Sequence, residues 1–310
     1  MSSTKQRIQL KQLSQLLTIA DEGSFRKAAD KLNLTQPALS RSIQALEENL
    51  QVILMERGPR GVVLTNFGET LVKHSKIINT AVEYAVDDID DMRGERSGVV
   101  KMGAGMLSGY IFAPQATTRL LDRRPDTKVI VVEGTYDTLT PQLLEGDLDF
   151  IFGPSNPEGP VSGLCHEIIA NIGIVFAVRE GHPLAKKKKV SFADLSSVPW
   201  IFPSQGSGLY QQLQSIFENQ GLPLPSSEID VESHSLTKAM LLSRDLVAMI
   251  PRQIIHFELQ QGLVRELPLF SDEMERPIYL VKREFGDLPP ACRELIAELR
   301  AVCEESKEEN

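Results

Sequence analysis

Cysteine is scarce in this chain. Three occur in 310 residues (Cys165, Cys292 and Cys303), with no CxxC and no metal-spaced pair. A disulfide framework is excluded, and a reducing, cytoplasmic location is expected. Long hydrophobic runs are also missing: no stretch reaches the roughly 18 apolar residues of a membrane span. Lys5, Arg7 and Lys11 lead into no apolar core followed by a small-residue cleavage site, so no secretory signal is expected. That tells against a solute-binding protein for import. Five histidines are scattered without HExxH or similar spacing, and no GxSxG elbow occurs; Gly206-Ser207-Gly208 lacks the spacing. No catalytic set, metal site or cofactor is expected.

Positive charge is short overall, with a formal net charge of −9, but it is unevenly spread. Residues 1–65 carry a net +3 and the remainder −12. A basic head on an acidic body can approach phosphates while the body stays off them. With 42% hydrophobic and 24% charged residues the composition is that of an ordinary globular protein, and the length suggests two to three domains.

The head is the most legible part. In 24–57, Phe25, Ala28, Ala29 and Leu32 form one apolar stripe on a short helix capped by Ser24. Asn33 and Leu34 break the period, and Asn tolerates the turn conformation. Thr35 can cap a second helix with Pro37 in its first turn, burying Leu39, Ile43, Leu46 and Leu50. Gln36, Ser40, Arg41 and Gln44 lie away from that stripe and are of the types that read base edges or hold phosphates. An earlier helix (Leu10, Leu13, Leu16, Leu17, Ala20) packs behind this pair, and VILMERGPRGVVLT reads as a hairpin with Arg57 and Arg60 near its tip. This is a winged helix-turn-helix that binds DNA.

Thr65 caps a long helix to about Arg93, in which Leu71, Ile78, Ala85 and Met92 repeat every seven residues beside Ser75, Val82 and Ile89. That pattern predicts a dimerising helix. Gly94–Gly98 reads as a hinge, and beyond it strands and helices alternate as in a doubly wound α/β domain. The helices are expected at 112–124, 138–146, 208–220, 235–243, 253–261 and 289–304. The fold class is therefore α/β: a winged helix-turn-helix domain (1–65), a linker helix (66–93), and a two-lobed body. Lobe I takes 98–163 and 265–304, lobe II takes 164–264, and 305–310 is a frayed acidic tail.

The ordered set Gly23-Ser24-Phe25, Ala28-Ala29, Leu32, Thr35-Gln36-Pro37-Ala38-Leu39-Ser40, Ile43, Leu46-Glu47, Leu50, Arg57 and Leu64-Thr65 resembles the LysR-type transcriptional regulators. The likeness extends over essentially the whole chain. Gln51 and Met55 depart from the family's usual Gly and Phe, and Leu242–Leu246 replaces a Gly-rich turn. The resemblance implies a periplasmic-binding-protein-like effector domain on a homo-oligomer, dimer or tetramer. It also implies a dyad-symmetric double-stranded DNA site, with RNA polymerase as a further partner. By motif position, Gln36, Pro37, Ala38, Arg41 and Gln44 would read bases, and Ser24, Thr35, Ser40, Arg57, Arg60 and Thr65 would position the backbone. A ligand-independent repressor of the same fold is the alternative. An α/β enzyme with a DNA-binding head would need catalytic groups in the cleft, and none stands out.

Ligands of open α/β lobes sit off the carboxyl ends of strands. Those ends are Gly105-Met106-Leu107-Ser108, Gly134-Thr135, Gly153, Pro203-Ser204-Gln205 and Ser233-His234. They offer hydroxyls, an amide and glycine N–H groups with no carboxylate at the contact points, and helix starts after Ser108 and Ser204 favour an anion. A small carboxylate or sulfonate is the expected effector. Three motifs tempt and fail. Gly103-Ala104-Gly105 with Glu133 imitates a dinucleotide fingerprint, but Ser108 holds the third glycine position and Pro114 falls inside the required helix. Lys186–Lys189 reads as a solvated charge run. Cys292 and Cys303, eleven residues apart on one helix, lie roughly 16 Å apart along its axis and cannot pair.

Overall fold

The computed structural model describes residues 8–58, 61–153, 159, 161–205, 207–269 and 274–308. In the head, α1 (Leu10–Glu22), α2 (Phe25–Lys31) and α3 (Gln36–Leu50) bury Leu16, Ile19, Phe25, Ala28, Leu39, Ile43 and Leu46 against one another. Ser24 accepts from the Lys27 N–H and Thr35 from the Ala38 N–H, so both caps form as the sequence requires. The turn between α2 and α3 runs through Asn33 at φ 53°. Gln51, standing where the family usually has glycine, takes φ 58° at the end of α3. Its side-chain amide donates to the Glu48 carbonyl at 2.9 Å, a local bond that offsets the cost of a left-handed non-glycine residue.

The wing is the antiparallel pair β1 (Met55–Gly58) and β2 (Gly61–Leu64). Pro59 and Arg60 at its tip lie outside the described residues. Glu47 fixes its approach by accepting from the Leu54 N–H at 2.7 Å, and the Val62 N–H donates to Gly23 at 2.9 Å. The linker helix α4 (Asn66–Met92) follows directly, capped by Thr65, which accepts from Gly68 at 3.2 Å.

The body runs β3 (Gly98–Ala104), α5 (Met106–Ile111), α6 (Ala113–Arg123), β4 (Thr127–Glu133), α7 (Tyr136–Glu145), β5 (Phe150–Gly153) and β6 (Leu164–Arg179). It continues through α8 (Phe192–Leu195), β7 (Trp200–Pro203), α9 (Gly208–Asn219), β8 (Ser227–Val231) and α10 (His234–Ser243). Then come β9 (Val247–Pro251), α11 (His256–Gln260), β10 (Val264–Glu266), β11 (Glu275–Arg283) and α12 (Pro290–Glu308). Strand order is β4-β3-β5-β11-β6-β9-β7-β8, with β10 also on β6. Hydrophobic clusters fill both lobes. Phe112, Phe150, Phe152 and Leu295 centre lobe I, and Phe176, Trp200 and Phe217 centre lobe II.

The lobe boundaries differ from the sequence reading. Residues Leu164–Gly173 of β6 pair with β11 in lobe I, whereas Ile174–Ala177 pair with β9 in lobe II. The first crossing therefore falls inside one strand, between Gly173 and Ile174, and not near residue 163. The return falls after Glu266, because β10 still pairs with β6. A strand that changes partners midway keeps its apolar pattern, so periodicity cannot mark the change. The expected helix 112–124 is preceded by a separate helix, α5, and α6 begins at Ala113, placing Pro114 in its first turn, where no N–H is needed. The expected 253–261 helix is a 3₁₀ turn (Arg252–Ile255) leading into α11. Residues 305–308, expected to fray, continue α12, with Glu305 bound by Arg119 through two hydrogen bonds of 2.7 and 2.6 Å. Residues 309–310 lie outside the described set.

One face of α4 is seated on lobe I. Lys76 reaches Asp147 (2.9 Å) and Glu145 (3.4 Å), and Asp88 meets Arg293 (3.1 Å). Arg124, 2% exposed, holds Asp91 of α4 at 2.6 Å and Glu294 of α12 at 2.7 Å. Midway, Tyr84 bonds Asp149, and Arg283 donates to the Tyr84 hydroxyl at 3.0 Å. Another edge of α4 stays open: Ile78, Val82, Ile89 and Met92 are all exposed, Met92 at 88%.

Candidate functional site

Two regions bring chemistry-bearing residues together. The first is the outer face of α3, where Gln36, Pro37, Arg41 and Gln44 are exposed and Ala38 and Ser40 are half-buried. The helix buries Leu39, Ile43 and Leu46 at spacings of four and three, so the residues between them necessarily face outward. The Gln44 amide donates to Glu48 at 3.2 Å, one turn further along. Ser24, Thr35 and Thr65 sit at helix N-caps, and the Thr65 hydroxyl also donates to the Ile53 carbonyl at 2.7 Å. Arg57 lies on β1, and Arg60 lies outside the described residues.

The second region is a cavity of about 520 Å³ between the lobes. Of the residues expected there, Met106, Leu107, Ser108, Thr135, Pro203, Ser204 and His234 line it. Gly105, Gly153, Gln205 and Ser233 do not. Gly105 caps α5 and donates its N–H to Phe152, while a Cβ on Gly153 would stand 2.8 Å from the Gly105 nitrogen; these two glycines pack the strand ends together. Ser233 caps α10 by accepting from Leu236, and Gln205 is exposed. The Ser108 hydroxyl is also committed: it donates to the Phe152 carbonyl at 2.7 Å and is 1% exposed. Trp200 sits fully inside lobe II with its indole N–H on Leu195 (2.8 Å), so that strand meets the cavity through Ile201, Phe202 and Pro203 instead.

The lining holds charged groups that the strand-end rule did not supply. Glu133, Asp137 and Glu232, acidic residues outside the expected contact set, are among the lining residues, and so is Arg276. Arg276 stands on β11, which runs antiparallel to β5, with Tyr279 opposite Gly153. Its amino-terminal end therefore arrives where the parallel strands end, a position that a rule built on carboxyl ends passes over. In the sequence Arg276 stands between Glu275 and Pro277, and nothing local marks it as a cavity residue. Arg276 packs on the first turn of α9, where a Cβ on Gly208 would lie 2.7 Å from its Nη2. Burial lowers the guanidinium pKa from its ordinary value. His234, at the first position of α10, is likewise held below the usual imidazole value, by burial first and the Arg276 charge second.

Residues 10–69 match the bacterial regulatory helix-turn-helix proteins of the lysR family, and residues 93–304 match the LysR substrate binding domain. The SDS degradation transcriptional activation protein of Pseudomonas sp. (strain ATCC 19151) is 31% identical, over 91% of this chain and 92% of its own length. The regulator GbpR of Azospirillum brasilense is 27% identical over 96% of this chain and 87% of its own. Full-length CbnR, solved with its target DNA, superposes with a TM-score of 0.56 at 22% identity, covering 96% of this chain and all (100%) of that one. Among the described residues no helix is long and apolar enough to cross a membrane. The chain thus belongs to the LysR family, as a DNA-binding transcriptional regulator with an effector-binding domain and not an enzyme.

Proposed function

We propose that this regulator reads a dyad-symmetric double-stranded DNA site as a homodimer or dimer of dimers, and that a small organic anion in the interlobe cavity, a carboxylate or sulfonate, sets its output. The carrying observation is that one helix, α4, is capped in the wing and seated on lobe I through Lys76, Tyr84, Asp88 and Asp91. A change in the body therefore reaches the head through packed side chains. On α3, Gln36, Pro37, Ala38, Arg41 and Gln44 face bases, while Ser24, Thr35, Ser40, Arg57, Arg60 and Thr65 set the backbone register. The exposed apolar edge of α4 supports the pairing, because residues 78, 82, 85, 89 and 92 follow the four-three spacing of a coiled-coil seam. Paired recognition helices would then enter successive major grooves about one turn apart. The site of action is the cytoplasm, with RNA polymerase as the downstream partner.

The test is selection of binding sites by the full-length chain from random duplexes, followed by footprinting with and without candidate anions. Recovery of inverted half-sites whose protection changes with an anion supports the reading. Asymmetric or sequence-independent recovery overturns it. Protection that no anion alters favours the ligand-independent repressor.

A further inference from the structure

We propose that Arg276 is the anion anchor of the cavity, and that it selects a small organic monoanion carrying hydrogen-bond donors at its opposite end. The inference rests on the cavity being the effector site. Arg276 has no salt-bridge partner and no side-chain hydrogen bond among the described residues. By contrast, Arg124, 2% exposed, is held by two carboxylates. A guanidinium withdrawn from water without a carboxylate is costly, and buried charges are normally paired.

Its position adds to the cost. The guanidinium lies over Gly208 in the first turn of α9, beside the positive end of that helix dipole. His234, at the start of α10, lines the same cavity. A cation placed against helix N-termini repels and is repelled, and a bound anion relieves the guanidinium and the helix ends together. A planar guanidinium matches a carboxylate or sulfonate through two parallel N–H bonds.

The rest of the wall limits the ligand further. Ile201, Met249 and Ile278 are apolar and suit a hydrocarbon body. Glu133, Asp137 and Glu232 line the same space, and they favour hydroxyl or ammonium groups while repelling a second negative charge. One fixed cation against three carboxylates fits a ligand with one anionic end.

The experiment measures thermal midpoints of the full chain at fixed ionic strength with matched probes: benzoate against benzamide, methanesulfonate against dimethyl sulfone, and benzoate against phthalate. In the parent protein each monoanion should raise the midpoint above its uncharged twin by at least about 2 °C at millimolar excess over its Kd. Phthalate should act more weakly than benzoate. Arg276→Gln should remove the anion-specific gain, corresponding to at least about tenfold weaker binding, while the unliganded variant melts no lower than the parent. Arg276→Lys should keep part of the gain. Equal shifts for the twins, persistence of the gain in Arg276→Gln, or a stronger effect of phthalate overturns the proposal. A Thr135→Trp variant fills the cavity from the start of α7 and separates the two claims. If a ligand's effect on DNA protection survives Arg276→Gln but not Thr135→Trp, the cavity is the effector site and the anchor is wrong. If anions act through Arg276 while Thr135→Trp leaves protection responsive, the anchor stands and the effector reading falls.

Discussion

The Tyr84 hydroxyl on the linker helix donates to Asp149, a carboxylate 3% exposed at the start of β5. Asp149 also accepts the Lys101 N–H at 2.7 Å and the Cys292 thiol at 3.3 Å. One buried acceptor thus joins α4, β3 and α12. Burial and the neighbouring carboxylate push both the Tyr84 phenol and the Cys292 thiol far up, so neither ionises at working pH.

Removing the acceptor is therefore expected to cost more than removing one donor. Asp149→Ala leaves three donors without a partner and should lower stability by about 3 kcal/mol. Tyr84→Phe removes only one and should cost about 1 kcal/mol. Urea denaturation of the two variants checks the ratio; equal losses would remove Asp149 from the centre of this seam.

The open edge of α4 gives a second expectation. Val82→Glu and Ile89→Glu change residues 43% and 56% exposed, so the isolated fold should tolerate them within about 0.5 kcal/mol. Light scattering should show a shift to monomer or to weaker association. An unchanged assembly mass would place the oligomer contact elsewhere.

Arg41 is exposed on α3 and carries the nearest full positive charge of that face. Arg41→Ala should weaken binding to a selected duplex by about ten- to a hundredfold at physiological salt and leave the melting midpoint unchanged. If Arg41 holds a phosphate in place of a base, the loss will be uniform across sequences and the salt slope will fall by about one.

His182 sets a pH expectation. It is 1% exposed, accepts the Leu184 N–H on Nδ1 at 3.1 Å, and is held below the usual imidazole value by burial. Its folded form resists the proton that the unfolded chain accepts below about 6.5. The unfolded state then binds more protons, so stability falls as pH drops below that value and is regained above it. His182→Asn keeps an acceptor for Leu184 and should flatten this decline between pH 7 and 5. A parent-like decline would assign it to His166 or His234, which burial also depresses.

The head was readable in the sequence because its signals are local. Ser24, Thr35 and Thr65 each cap the helix that begins beside them, and Asn33 turns where its side chain permits. The cavity was readable only where that locality held. Thr135, Pro203 and Ser204 follow parallel strands and reach it, but Ser108 spends its hydroxyl on Phe152 across the sheet. Glu133, Asp137 and Glu232 share a cavity with Arg276 only through folding of both lobes. The β6 crossing between Gly173 and Ile174 was hidden for a related reason, since it is a change of partner with no change of conformation.

β11 has the longest consequence. Arg276 and Ile278 at one end are wall residues of the cavity, while Arg283 at the other donates to Tyr84 and to the Leu143 and Leu148 carbonyls, each at 2.7 Å. Seven residues of strand span roughly 23 Å. Paired with β6 along its length and with β5 from Tyr279 to Lys282, this segment acts as a beam and not a tether. A tilt imposed at the Arg276 end is delivered midway along the linker helix as leverage. Selection on ligand fit and selection on helix seating thus act on a single piece of the chain.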